Sequence, residues 1–117
     1  MEESNPSEIK ILEESPGTGV AVVKGALVIC NFTGYLEDGV KFDSSYDHGR
    51  PFECVVGSKK VIAGWSQGLM GMKEGGRRKF FVPAALAYGE RQIGAFIKPY
   101  SNLIYEVEVI EVRPREG

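Results

Sequence analysis

Near the C-terminal end of the chain, Leu103, Tyr105, Val107 and Val109 alternate with Glu106 and Glu108. That period of two marks a strand with one buried face and one wet face, and it is the cleanest pattern in the sequence. Strand-like segments upstream give it partners. Leu27 to Tyr35 is apolar and β-branched enough for a long strand. Glu37-Asp38-Gly39 follows as a tight reversal, because Asp-Gly suits hairpin turns that need positive φ, and Val40 to Ser44 pairs back. Pro51 to Val56 resumes a strand that Gly57 stops, and Arg77 to Val82 reads as another. Ile9 and Ile11 alternate with charged neighbours, as in a half-buried strand. The one clear helix is Ile62 to Met70, with Ile62, Trp65 and Leu69 on one face. Pro83 opens a single helical turn at Ala84-Ala85-Leu86. Glu90 to Asn102 is a long connection, of a kind that is usually functional or disordered. The architecture expected is α+β: five or so strands in a twisted antiparallel sheet wrapped over one short helix.

The 117 residues, 43% of them apolar, suffice for one domain with its own core. A net charge of −2 argues against a general nucleic-acid binder. The first residues, Met1 to Glu8, are polar and acidic, unlike a secretory or transit leader. Residues 1–7 are expected to be a flexible tail and 8–113 the folded domain. No apolar run approaches the ~20 residues that span a bilayer, so the default expectation is a cytosolic or nuclear location, cytoplasmic first, without membrane contact. Cys30 and Cys54 sit in apolar strand-like runs without CxxC spacing, and are expected to be buried, reduced and inert.

Few residues suggest covalent chemistry. His48 is the only histidine, which argues against catalytic triads and zinc sites; beside Asp47 and Arg50 it reads as a solvated loop residue. Asn31-Phe32-Thr33 matches a glycosylation sequon, but inside a strand the match is accidental. Gly71, Gly75 and Gly76 lack nucleotide-loop spacing and read as turn punctuation. Arg77-Arg78-Lys79 and Lys59-Lys60 read as solvated surface charge pairing with acidic neighbours. The aromatics, Phe32, Phe42, Phe52, Trp65, Tyr88, Phe96 and Tyr105, reach nearly every element. They suit a core, or equally a cleft for an apolar ligand or a proline ring.

The chain resembles the FKBP-type immunophilins, a family of peptidyl-prolyl cis–trans isomerases. Asn31 to Gly39 resembles the family's YTG-x-LEDG strand and turn, and Lys41-Phe42-Asp43-Ser44-Ser45 its KFDSS segment. Val61-Ile62-Ala63-Gly64-Trp65 matches VIxGW, Gly71 to Gly75 GMKxG, Ala87-Tyr88-Gly89 AYG, and Leu103 to Glu108 LxFxVEL. Order and spacing hold from about Ile9 to Val112; each match is weak alone, and together they are highly specific. The resemblance implies a five- to six-stranded antiparallel sheet curled around one short helix, with a pocket between helix and sheet. Trp65 would be its floor, Phe32, Phe42, Phe52 and Tyr105 its walls, Val61 and Ile62 its rim, and Phe96 and Ile97 its cover. Asp43, Tyr88 and the Ile62 N–H would be the catalytic groups. It implies no cofactor and no metal, proline-containing peptides and proteins as substrates, rapamycin-type macrolides as inhibitors, a role in protein folding, and a monomer.

Several residues depart from the commonest family pattern. Phe32 stands where many members have Tyr, which removes a hydroxyl near Asp43. His48 replaces a frequent Arg, Lys60 a frequent Glu, Tyr105 the usual Phe, and Ile93 a frequent His. Two other functions fit the same residues: a binding or scaffolding module with little turnover, and a holding chaperone. The chaperone would normally want a flap or dimerisation segment that 117 residues do not supply. The retained pocket residues favour the isomerase.

Overall fold

The alternating segment forms a strand, Leu103–Arg113, with Leu103, Tyr105, Val107 and Val109 buried and Glu106 and Ile110 exposed. In the computed structural model, which describes residues 8–114, this is β6, preceded by β1 (Lys10–Ser15), β2 (Leu27–Leu36), β3 (Lys41–Ser44), β4 (Phe52–Val55) and β5 (Arg77–Val82). One α-helix, α1 (Ala63–Leu69), joins β4 to β5. Residues Tyr46–His48 and Ala84–Leu86 form short 3₁₀ turns, the second where the proline-led turn was expected. The expected tail, residues 1–7, lies outside the described residues.

All six strands join one antiparallel sheet in the order β1-β5-β6-β2-β3, and β4 also pairs with β2. The strand β2 is long enough to take two partners along its outer side. Its first half, from Leu27 to Cys30, pairs with β4, and Thr33 to Tyr35 pairs with β3. On its inner side it pairs with β6 from Leu27↔Arg113 to Leu36↔Leu103. The reversal after β2 uses Gly39 at φ +93°, a conformation that glycine adopts without strain.

The inner face of the sheet wraps α1. Trp65 and Leu69, one turn apart, are buried against it. Gly64 and Gly68 let the helix come close. A Cβ on Gly68 would stand 2.2 Å from the Phe80 ring, and one on Gly64 2.2 Å from a Val82 methyl. Both glycines therefore favour close packing over helix propensity. The core continues through Val28, Cys30, Val82, Leu103 and Val109. Cys30 and Cys54 are free and buried; burial pushes both thiols up, Cys54 to about 11, which keeps them protonated.

Two expectations need correction. The half-buried strand expected at Ile9 and Ile11 is buried only at its start: Ile9 packs partly buried against the core, but β1 itself is exposed along its whole length, with Ile11 45% and Leu12 43% accessible. It lies at the sheet edge, where the seven-residue helix does not reach, and a register shift between Ile11 and Glu13 further breaks its alternation. Arg78 is not solvated. It lies 8% exposed on the inner face of β5, paired with Glu14, and its guanidinium donates to the Gly68 carbonyl at 2.8 Å and the Met70 carbonyl at 2.9 Å. It thereby satisfies carbonyls that a helix leaves unpaired at its C-terminal end. The flanking Arg77 and Lys79 pair with Glu108 and Glu13 as expected.

Arg78→Met should lower unfolding stability by about 3 kcal/mol, because it leaves a buried carbonyl and the partner carboxylate without their donor. Denaturant unfolding measures this. A loss under about 0.5 kcal/mol, the scale of an ordinary surface change, would show that Arg78 does not anchor the helix.

Candidate active site

Between α1 and the open end of the sheet lies a cleft of about 440 Å³. Three segments shape it. The β2–β6 pair supplies Phe32 and Tyr105 from its inner face, β3 and β4 supply Phe42, Asp43 and Phe52, and the approach to α1 supplies Val61, Ile62 and Trp65. Tyr88 closes one side from the segment after the second 3₁₀ turn. The cleft thus collects nine of the eleven residues expected at the site. It leaves out Phe96 and Ile97. Phe96 is 50% exposed, while Ile97 is buried in the core and bonded both ways with Ile93.

The aromatic rings meet edge to face. Phe32 meets Trp65 at 5.2 Å between centroids and 89°, Phe52 meets Trp65 at 5.3 Å, Tyr105 meets Trp65 at 5.3 Å, and Phe42 meets Tyr105 at 5.8 Å. Edge-to-face pairs are favoured by ring quadrupoles, and this set fixes Trp65 from three sides. Trp65 is only 4% exposed yet lines the cleft, so one ring serves both as core and as floor.

A few polar groups punctuate the apolar wall. Ile62 caps the start of α1 in extended conformation, and its N–H donates no hydrogen bond among the described residues. The Tyr88 hydroxyl is pushed up, by burial first and then by the nearby Asp43 charge, with Arg91 opposing. It therefore stays protonated at neutral pH and is a hydrogen-bond donor. The Tyr105 hydroxyl is pushed up more strongly, again chiefly by burial, and stands near Tyr88, the Trp65 indole and Asp43.

Asp43 is held in place from the sequence side by two serines. Ser44 and Ser45, both 2% exposed, bond back to β2: the Ser44 hydroxyl donates to the Phe32 carbonyl at 3.1 Å, and the Phe32 N–H donates to the Ser45 hydroxyl at 2.9 Å. The Ser45 hydroxyl also donates to the Asn31 side-chain oxygen at 2.9 Å, so the sequon asparagine is a packing residue here. Asp43 Oδ1 accepts from the Ser44 N–H at 2.8 Å and lies 2.9 Å from His48 Nε2. A carboxylate only accepts, so Nε2 carries the hydrogen. Both contacts fall on Oδ1, and Oδ2 is left without a partner among the described residues. His48 is exposed, as expected of a solvated loop residue, but it is not idle: with Phe32 lacking a hydroxyl, it is the side chain that holds Asp43.

Five residues in or beneath the cleft escaped the sequence reading as site residues. Lys59, Lys60, Ala87 and Arg91 line it; their signal is closeness in sequence to Val61 and Tyr88, together with the departure of Lys60 from the frequent Glu. Gly34 is the fifth: a Cβ there would stand 2.6 Å from the Phe42 ring and 3.0 Å from the Tyr105 ring. A second concavity, of about 370 Å³, lies on the outer face of the sheet among Glu13, Arg77, Lys79, Glu106 and Glu108. It contains none of the expected site residues, and its charges are largely paired across strands. No group of three or more His, Cys, Asp or Glu side chains among the described residues is placed to hold a metal ion.

Comparison with known proteins gives the same picture. Residues 19–110 match the family model described as FKBP-type peptidyl-prolyl cis-trans isomerase. The chain is 45% identical over 104 residues to an FK506-binding protein of Neisseria meningitidis serogroup C, covering 89% of this chain and 94% of that protein. It is 41% identical over 113 residues to FK506-binding protein 1 of Saccharomyces cerevisiae, covering 96% and 99%. Among solved structures, AtFKBP13 superposes with a TM-score of 0.83 at 36% identity, covering 92% of this chain and 94% of that one. FkpA of Escherichia coli superposes at 0.78 and 37% identity, covering 91% of this chain and 47% of that one.

Gly34→Ala should displace the Phe42 and Tyr105 rings, since overpacking of this kind costs about 1–3 kcal/mol. The expected result is a folded protein with lowered stability and a several-fold lower kcat/KM on a prolyl peptide. Wild-type turnover would show that the rings can yield without consequence for the cleft.

Proposed function

The chain belongs to the FKBP-type peptidyl-prolyl cis–trans isomerase family, and from that premise we propose that it turns X-Pro bonds over in this cleft, with Asp43, Tyr88 and the Ile62 N–H as the catalytic groups. The observation that carries the reading is the convergence of these three on one aromatic-floored cleft.

Rotation about a peptide bond faces a barrier of ~18–20 kcal/mol because amide resonance must be lost. For X-Pro the two isomers lie close in energy and exchange slowly. A catalyst need only bind the twisted amide better than the planar one. The apolar cleft strips water from the amide, and the twisted form has less charge separation to lose by desolvation. Trp65 and Phe32 grip the proline ring, with Phe42, Phe52 and Tyr105 as walls. The protonated Tyr88 hydroxyl donates to the carbonyl before the proline, and the free Ile62 N–H fixes the chain on the other side. Asp43, through the oxygen that Ser44 and His48 leave open, stabilises the rotated carbonyl electrostatically. Val61 and Ile62 form an apolar rest for the residue before proline, and Phe96 and Ile97 lie in the loop that would cover a bound chain. No step calls for a nucleophile, a cofactor or a metal.

The same cleft supports binding of rapamycin-type macrolides, whose pipecolyl ring mimics proline; the similar proteins named for FK506 binding support this. A monomer assisting protein folding in the cytoplasm completes the reading. No helix among the described residues is long and apolar enough to cross a membrane.

A protease-coupled or NMR-exchange assay on X-Pro-Phe peptides with an apolar X should give rates well above background. Background rates from folded protein would favour a binding module instead. Asp43→Val should cut kcat/KM at least tenfold with the melting temperature nearly unchanged, because its hydrogen bonds lie at a half-exposed surface and are worth about 1 kcal/mol or less. Full activity with lost stability would make Asp43 a structural residue.

Calorimetry with rapamycin should show binding and inhibition at micromolar ligand. No heat and no inhibition would count against a formed pocket for the proline mimic.

A further inference from the structure

We propose that this cleft selects X-Pro segments carrying acidic residues just outside the X-Pro pair, through a cationic rim formed by Lys59, Lys60 and Arg91. The inference rests on the isomerase reading of the cleft and names the substrate class that the rim favours.

The three cations line the cleft and are exposed. They come from two separate segments, one leading into α1 and one following Tyr88, so the charge is not a single local run. None of them makes an ion pair among the described residues, in a chain with 16 acidic residues and a net charge of −2. Lys41, Arg77, Arg78, Lys79 and Arg113 stand against carboxylates, whereas Lys10, Lys24, Arg50, Lys73 and Lys98 also make no ion pair among the described residues; what sets the rim apart is that its three unpaired cations line one cleft. Among the described residues Asp43 is the only carboxylate that lines the cleft, and His48 and the Ser44 N–H already engage one of its oxygens. Nearby Asp47 is paired with Lys41. Among the described residues, therefore, no ion pair offsets the positive charge of the rim.

Charge of this kind reaches a bound peptide but not far beyond it. The screening length is about 8–10 Å in physiological salt, and an extended chain covers about 3.3–3.6 Å per residue. Carboxylates within two or three residues of the proline lie inside that range. The residue directly before proline meets Val61 and Ile62 and stays apolar, so the acidic preference falls on the positions outside it. Rim charges act mainly on encounter and on binding rather than on the bond rotation, so the preference belongs in KM.

The test uses three peptides with one Leu-Pro core, flanked on both sides by Glu, Gln or Lys. At low salt, wild-type kcat/KM should fall from Glu to Gln to Lys, by about tenfold end to end, with the change in KM and little in kcat. High salt should collapse the spread. The double charge reversal Lys59→Glu/Lys60→Glu should invert the order relative to the Gln peptide, and Arg91→Gln should narrow it. Equal rates on all three peptides by an active enzyme would overturn the proposal and leave the isomerase reading intact. An acidic preference that survives both variants would overturn its assignment to this rim. No turnover of any of the three peptides by folded protein would instead overturn the isomerase reading, and the proposal with it.

Discussion

The pairing of β2 with β6 is the interaction on which the rest of the molecule depends. It runs from Leu27↔Arg113 to Leu36↔Leu103, crosses the middle of the sheet, and sets which residues face inward. A slip of one residue would turn every side chain of either strand to the other face. Phe32 and Val107 are direct partners, and Gly34 stands opposite Tyr105. That register brings the Phe32 and Tyr105 rings to the same end of the inner face, 6.1 Å apart, where Trp65 can pack on both. The cleft is thus the uncovered end of the core rather than an addition to it. It exists because a seven-residue helix is too short to cover an inner face built on strands of ten and eleven residues.

Much of this was legible in the residues because the relevant signals are short-range. The alternation from Leu103 to Val109 fixes a two-faced strand, and Asp38-Gly39 fixes the reversal that brings β3 back onto β2. Trp65 and Leu69 announce the buried face of α1. The site residues contributed by these elements came with them, since Phe32, Phe42, Trp65 and Tyr105 are all inward positions of regular structure. The family resemblance supplied the assignment of roles, which periodicity alone leaves undecided between core and cleft.

What could not be read is long-range. The strand β1 carries the same alternation as a half-buried strand, yet whether an apolar face is covered depends on the reach of the helix across the sheet. Arg78 looks like its neighbours Arg77 and Lys79; only the placement of the helix end above β5 gives it two carbonyls to satisfy. His48 and Asp43 are five residues apart, and the 3₁₀ turn at Tyr46–His48 closes that distance to 2.9 Å. Phe96 and Ile97 show the converse. They are adjacent in a loop matched weakly by the family pattern, and the small Ile93–Ile97 bridge turns one into the core and leaves the other at the surface.

A catalyst that makes no covalent bond divides its residues differently from one that does. Its floor must exclude water and hold a ring, and the residues proposed to do so here, Trp65, Phe32 and Tyr105, are 3–8% exposed members of the core. Changes among them alter folding and function together. The polar groups stand further out. Asp43 is fixed by serines that bond to β2 backbone and side chain, so its position depends on β2 while its charge does not contribute to the core. Among the described residues the side chains of the rim lysines and Arg91 make no hydrogen bond or ion pair. Constraint therefore falls off from floor to rim: the floor is bound to the fold, the carboxylate to one strand, and the rim to neither. Substitutions at Lys59, Lys60 and Arg91 can thus change the charge at the cleft mouth at little cost to the sheet and helix that form it.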